Sequence, residues 1–94
     1  MIEIKRLGVG DGAEVRRAEH LFDDLRAAAI RGFLVSSTDH LLIAYLDGEP
    51  AGALIAHELS RLDGPPNMML YSIDTGEAFR RRGVARALIE AVKP

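Results

Sequence analysis

The strongest structural signal in the sequence is a pair of apolar runs joined by Asp47-Gly48. Residues 40–46 are mostly apolar, and residues 51–57 form a second apolar run directly after Pro50. An Asp-Gly pair adopts the positive φ angles of a tight hairpin turn at little cost, and runs of this length match antiparallel strands. Because the first run is apolar at successive positions, we expect both of its faces to be covered. The chain therefore predicts an antiparallel sheet at its centre.

Periodicity and turn residues predict further elements on either side of this hairpin. They comprise a strand over 2–7, helices over 12–24 and 25–31, the two hairpin strands, a strand over 68–75 and a helix over 82–92. We expect the helix over 25–31 to end at Gly32. The resulting order, β-α-α-β-β-β-α, is an α/β (α+β mixed) layer structure in which helices cover a largely antiparallel sheet. Ninety-four residues predict one domain, 1–94.

A basic segment with one glycine, residues 80–86, lies between the last predicted strand and the last predicted helix. Backbone N–H groups at a helix start lack intrahelical partners, and the helix dipole adds positive charge there. Gly83 has no Cβ to keep a phosphate away from these groups. Residues 80–94 carry five basic residues and one acidic residue, so residues 1–79 carry a net charge of −6 within a total of −2. This distribution predicts a phosphate-binding loop, with an ordinary solvated turn as the alternative.

The composition excludes several classes of site. The chain has no cysteine, which rules out disulfides, thiolate zinc sites and cysteine nucleophiles, and its three histidines lack metal-ligand spacing, so no metal site is expected. The first residues contain no signal-peptide core, and no apolar run is long enough for a bilayer. We therefore expect a cytoplasmic protein without a membrane partner. The acidic remainder and the lack of aromatic residues among the arginines count against nucleic-acid binding, which stays as an alternative.

Two sequence blocks resemble the GNAT-type N-acetyltransferases, which use acetyl-coenzyme A. Residues 41–53 resemble the second and third strands of that family, with their "D-G-x-x-x-G" turn, and residues 69–89 resemble its fourth strand and pyrophosphate loop. The loop signature is met by Arg80, Gly83 and Ala85. Within the superfamily, the chain is most similar to small bacterial enzymes that include aminoglycoside 3-N-acetyltransferases. The fold implied is a GNAT-like fold without its C-terminal third.

The resemblance implies a cofactor site and a reaction. The main-chain N–H groups of residues 81–86 would bind the coenzyme A pyrophosphate, and the main chain of 73–75 would pair with the pantetheine arm. The residues implied to bind the cofactor are Ile73, Asp74, Thr75, Arg80, Arg81, Arg82, Gly83, Val84, Ala85 and Arg86. The activity implied is transfer of an acetyl group to a primary amine of a small molecule or peptide.

Three residues are candidates for catalysis. The family often has an acidic residue where this chain has Ser72, so Asp74, on the same strand face two positions on, is a candidate base or water-orienting group. Tyr71 is a candidate substrate contact, and His57 is a candidate base because imidazole titrates near neutral pH. Each has a structural alternative: a polar strand end for Asp74, a packed sheet residue for Tyr71 and an exposed strand end for His57.

The resemblance stops at the helix that follows the phosphate loop. Family members continue into a fifth strand, a further helix and closing strands, so a lone copy of this chain is expected to be an incomplete catalyst. A homodimer that covers the free edge of the fourth strand would protect that edge from aggregation, and the alternative expectation is partial disorder near 67–80. The alternative function is a non-catalytic module that binds coenzyme A or a protein partner.

Overall fold

A computed structural model describes residues 1–92 of the chain, so Lys93, which the charge count includes, and Pro94 lie outside the described residues. The elements are β1 (Ile2–Arg6), α1 (Gly12–Arg17), a 3₁₀ turn (Glu19–Leu21), α2 (Ala27–Val35), β2 (Asp39–Leu46), β3 (Glu49–Leu59), β4 (Asn67–Thr75), a second 3₁₀ turn (Glu77–Phe79) and α3 (Val84–Val92). This order confirms the predicted α/β topology. Over residues 1–92, no helix has the length and apolar character needed to cross a bilayer.

The four strands form one antiparallel sheet in the order β1-β2-β3-β4. Asp47 and Gly48 have φ angles of 52° and 85° and close the hairpin between β2 and β3, as predicted. The residue pairing slips by one position between Ala44 and Tyr45, which is a β-bulge. Strand β4 pairs with β3 only, so within the described residues its other edge is open.

Helices cover the two faces of the sheet. Helices α1 and α2 pack on one face, over a core of Leu7, Val15, Ala18, Leu21, Leu34, Leu41, Ile43, Tyr45 and Ala53. Helix α3 packs on the other, over a core of Leu42, Ala44, Ala51, Leu54, Ala56, Val84 and Leu88. The buried Tyr45 hydroxyl ties α1 to the sheet by donating to Glu14 Oε2 at 2.9 Å. Burial, together with this bond, raises the pKa of the Tyr45 phenol.

The two predicted helix boundaries before the hairpin are wrong. The helix predicted over 12–24 ends at Arg17 and continues only as a 3₁₀ turn. The N–H of Ala18 is shared between two carbonyls, and the adjacent Asp23 and Asp24 have low helix propensity. Helix α2 runs through Gly32 to Val35. Packing of the following residues against the sheet outweighs the cost of about 1 kcal/mol for a helical glycine.

Gly52 on β3 sets how closely α3 approaches the sheet. A Cβ at this position would lie 2.5 Å from Val84 Cγ1 and 3.2 Å from Leu88 Cδ1. Only glycine leaves room for these side chains, which are the buried anchors of α3. The position of α3, and of the loop that precedes it, therefore depends on the absence of a side chain at Gly52.

Gly52→Ala is expected to lower the free energy of unfolding by about 2 kcal/mol, because α3 must move away from the added methyl group. Urea denaturation measures the change. Gly32→Ala is the matched control: it lies in an exposed helix interior with no atom near its ideal Cβ, and it should stabilise the protein by about 1 kcal/mol. An unchanged midpoint for Gly52→Ala would contradict the close packing of α3.

Candidate functional site

The segment between the second 3₁₀ turn and α3 forms a loop with two left-handed residues. Arg81 has a φ angle of 65° and Gly83 one of 78°. Left-handed conformations of this kind turn successive N–H groups toward one side of the chain and create a concave anion-binding surface. A side-chain-bearing residue such as Arg81 adopts this conformation at a cost of about 1–3 kcal/mol, which is typical of functional sites. The loop is therefore shaped for an anion.

Most of the main-chain N–H groups of this loop have no acceptor in the protein. Within residues 1–92, none of the four N–H groups from Gly83 to Arg86 donates to a protein oxygen, whereas Arg82 closes the hydrogen-bonded turn at Arg80 and Arg81. The first helical bond to the loop is made by the N–H of Ala87, which donates to the carbonyl of Gly83 at 3.0 Å. The four free donors therefore lie at the N-terminal end of α3, where the helix dipole is positive. This arrangement favours a bound phosphate.

A pocket of about 210 Å³ lies at this loop. It is lined by Thr75, Phe79, Arg80, Arg81, Gly83, Val84, Ala85 and Arg86. Of the residues predicted to bind the cofactor, the lining contains Thr75 from the strand and six of the seven from the loop. Arg82, the seventh loop residue, is exposed and lies outside the lining. None of the four arginines of the loop forms an ion pair with another described residue. The pocket is therefore positively charged, and this charge is not balanced by ion pairs with the described residues.

Strand β4 leads from this pocket along the open edge of the sheet. Thr75 lines the pocket, whereas the side chain of Ile73 packs against the core under α3. Asp74 is exposed and pairs in register with Ala53, so it lies on the face covered by α1 and α2. A β-bulge interrupts the β3–β4 pairing opposite Ile55 and Ala56, at the level of Tyr71. The open main chain therefore connects the pocket with the bulge.

His57 belongs to a cluster beside this bulge. Its ring lies 5.6 Å from that of Tyr71 and 5.9 Å from that of Phe33 on α2, both in edge-on contact. Its Nδ1 lies 2.8 Å from Asp39 Oδ1. Since an ionised carboxylate only accepts hydrogen bonds, Nδ1 carries a proton, and in the neutral form of the ring Nε2 is then the acceptor. The structure therefore joins His57 to Tyr71, two residues that the sequence predicts only separately, whereas Asp74 lies nearer the pocket.

Asp39 is a site residue that the sequence analysis missed. The hydrogen bond from His57 lowers the pKa of this carboxyl below its ordinary value of 3.8. The carboxylate therefore stays charged above about pH 4, and its support of His57 is lost only as the pH falls through the lowered pKa. If residues paired one to one outward from the Asp47-Gly48 turn, Asp39 would lie opposite residue 56. The bulge at Ala44 shifts the pairing by one residue, so that Asp39 lies opposite His57. The hairpin pattern in the sequence therefore predicts the partner of Asp39 to within one residue.

Comparisons with known proteins identify the family of the chain and solved structures with a similar fold. The family model of the acetyltransferase (GNAT) family matches residues 11–93. An aminoglycoside acetyltransferase from an uncultured soil metagenomic sample, solved with trehalose, has a TM-score of 0.84 and 19% identity, over 96% of this chain and 66% of its own. The ribosomal-protein-alanine N-acetyltransferase of Brucella melitensis biovar Abortus 2308 has a TM-score of 0.76 and 21% identity, over 98% and 69%.

A third solved structure was determined with a cofactor analogue. It is AAC(6')-Iy in complex with the bisubstrate analogue CoA-S-monomethyl-acetylneamine, with a TM-score of 0.75 and 25% identity, over 98% of this chain and 69% of its own. No curated protein matches the chain significantly by sequence. The chain spans 66–69% of the length of these three solved proteins.

Proposed function

The chain belongs to the acetyltransferase (GNAT) family, and from that premise we propose that it binds acetyl-coenzyme A and transfers the acetyl group to a primary amine of a small molecule or peptide. The observation that carries the proposal is the row of four unpartnered N–H groups from Gly83 to Arg86, beside a cationic pocket. A pyrophosphate carries the charge and the acceptor oxygens that such a row requires.

The loop and the adjoining edge of β4 offer places for two parts of coenzyme A. The loop would hold the pyrophosphate, with Arg80, Arg81 and Arg86 adding positive charge around it. The open edge of β4 from Thr75 toward Tyr71 would pair with the amides of the pantetheine arm, in the manner of an added strand. Four strand residues span about 13 Å. An arm of this length would bring its reactive end near the bulge and the His57 cluster.

Acetyl-coenzyme A supplies a thioester that a free amine can attack: the amine nitrogen bonds to the acetyl carbon as the carbon–sulfur bond breaks. The amine gives up one proton, and the departing sulfur takes one up. We assign the removal of the amine proton to His57 Nε2, which Asp39 keeps free by accepting the Nδ1 proton. Asp74 is the competing candidate, because it shares the same sheet face, and Tyr71 would orient the amine.

Titration calorimetry with coenzyme A, followed by a thiol-release assay over a panel of amines, tests the proposed function. Binding with turnover is the expected result. Binding without turnover would favour the non-catalytic coenzyme A module, which the serine at position 72, in place of a family carboxylate, makes the second candidate. No binding would contradict both functions.

Arg81→Ala is expected to weaken coenzyme A binding by about fivefold at low salt, since an exposed charge contributes up to about 1 kcal/mol. The loss should shrink in 0.5 M salt, where the Debye length falls to about 4 Å. Calorimetry at two salt concentrations measures both effects. Arg31→Ala, an exposed arginine on α2, is the matched control and should leave affinity unchanged. A salt-independent loss for Arg81→Ala would contradict an electrostatic role.

Pairing of two copies through β4 is a further part of the proposal. Met68, Met69 and Leu70, beyond the stretch of β4 assigned to pantetheine, are 40–47% exposed along this open edge. An apolar open edge favours strand pairing. Sedimentation velocity at micromolar concentration should show a dimer, and Leu70→Lys, which places a charge on the edge, should give a monomer. A folded wild-type monomer under these conditions would contradict the dimer.

A further inference from the structure

A second and larger pocket lies on the opposite side of the sheet from α3. It has a volume of about 360 Å³ and lies between α1, the segment leading into α2, α2 itself and the sheet. Its walls are almost entirely apolar and include Phe22, Leu25, Ile30, Phe33, Leu41 and Ile55. The volume falls within the range of small-molecule sites. An engineered apolar cavity of about 150 Å³ binds benzene, so this pocket has room for about two aromatic rings.

The walls of this pocket are incompletely covered by the protein. Phe22, Leu25, Ile30, Phe33 and Ile55 pack against the core beneath α1 and α2, yet each remains only partly buried. An apolar group that fills the pocket would remove this surface from water, at about 25 cal/mol for each Å². The pocket therefore favours an apolar body over a polyhydroxylated one, whose hydroxyl groups would lose water without gaining partners.

The pocket adjoins the candidate catalytic cluster. Phe33 lines the pocket and contacts the His57 ring at 5.9 Å. Ile55 lines it from β3 and pairs in register with Ser72 on β4. Neighbouring strands lie about 4.8 Å apart, so the pocket wall is one strand away from the edge assigned to pantetheine. A molecule seated in the pocket can thus reach the reaction centre with a short side arm.

The rim of the pocket is acidic. Asp23 and Asp24 lie at its mouth with Arg26, and Arg26 is paired with Asp24 at 3.1 Å. Asp23 has no ion-pair partner among the described residues, and residues 1–79 are acidic as a whole. A cationic amine is attracted to such a surface, whereas an anion is repelled.

We propose that this pocket is the acceptor site, and that the acceptor is a primary amine on a short arm attached to an apolar body of about two rings. This substrate class rests on the proposed function. It differs from the aminoglycosides named for the solved aminoglycoside acetyltransferases, which carry many hydroxyl groups. The acceptor enters past Asp23, seats its rings against Phe22 and Phe33, and presents its amine to His57.

The test compares 2-(1-naphthyl)ethylamine with neamine, using Ala29→Phe and Ala28→Phe. Ala29 lines the mouth of the pocket, and Ala28, its exposed neighbour on α2, does not. Calorimetry should show that the naphthyl amine binds at least tenfold more tightly than neamine. Ala29→Phe should weaken this binding at least tenfold, whereas Ala28→Phe should leave it unchanged. Circular dichroism verifies that both variants are folded.

The readouts separate this inference from the proposed function. Tighter binding of neamine, no binding of the naphthyl amine, or equal effects of the two variants would overturn the acceptor class, even where coenzyme A binds normally. Failure of coenzyme A to bind would overturn the proposed function and, with it, the role of the pocket as an acceptor site. Turnover of the naphthyl amine that Ala29→Phe reduces, with coenzyme A affinity unchanged, supports both.

Discussion

Replacing Gly83 with valine is expected to weaken coenzyme A binding by roughly 100-fold while the protein stays folded. An ideal Cβ at Gly83 meets no protein atom within 4 Å, so the new side chain would occupy the open space beside the free N–H groups. Displacing the phosphate from two of these donors removes charge-assisted hydrogen bonds of about 1.5 kcal/mol each, which corresponds to the stated loss. Titration calorimetry measures the affinity, and thermal unfolding measures the stability.

Gly48→Val is the matched control for this substitution. Gly48 also has a positive φ, of 85°, and open space around its ideal Cβ, but it lies in the β2–β3 turn. Valine should strain both positions to a similar degree, since β-branched residues rarely adopt this conformation. We therefore expect both variants to lose stability and only Gly83→Val to lose affinity. Wild-type affinity for Gly83→Val, or equal loss for both variants, would contradict a site at the loop.

The parts of the fold that the sequence predicted correctly depend on local signals. Asp47-Gly48 needs only its own backbone preferences to form a turn, and the apolar runs beside it then determine the pairing of β2 and β3. The loop between β4 and α3 also lies where the sequence places it, because Gly83 and the flanking arginines lie within seven consecutive residues; its binding of phosphate stays a prediction. Strand, loop and helix follow each other directly there, so no distant contact is needed to place the free N–H groups.

The parts that the sequence did not predict depend on contacts between distant residues. Gly32 stays helical because α2 packs on the sheet, which no local pattern records. The left-handed conformation of Arg81 contradicts the intrinsic preference of arginine, and only the surrounding loop imposes it. The apolar pocket arises from the separation between α2 and the sheet, which depends on both packing partners. Sequence periodicity identifies an apolar face but cannot show that a space remains beside it.

His57→Gln is expected to lower kcat/KM for the amine by roughly 100-fold with little change in coenzyme A affinity, because removal of a general base costs at least about that factor. Glutamine keeps a polar group of similar reach but cannot take up a proton at neutral pH. Asp39→Asn retains an acceptor for the His57 Nδ1 proton, so it should lower the rate less than Asp39→Ala, which removes that acceptor. If Asp39 had a purely structural role, its replacement would instead lower the stability without affecting the kcat of the folded enzyme.

Two further variants distinguish His57 from the other candidates. His20→Gln is the control, because His20 lies in the first 3₁₀ turn with its Nε2 3.1 Å from the carbonyl oxygen of Pro50, and its loss should leave the rate unchanged. Asp74→Asn tests the competing base on β4. If Asp74→Asn abolishes turnover and His57→Gln does not, the proton passes to Asp74, and the Asp39–His57 pair only joins β2 to β3. If His57→Gln alone abolishes it, the hairpin that shapes the sheet also supplies the base, since its register sets Asp39 opposite His57.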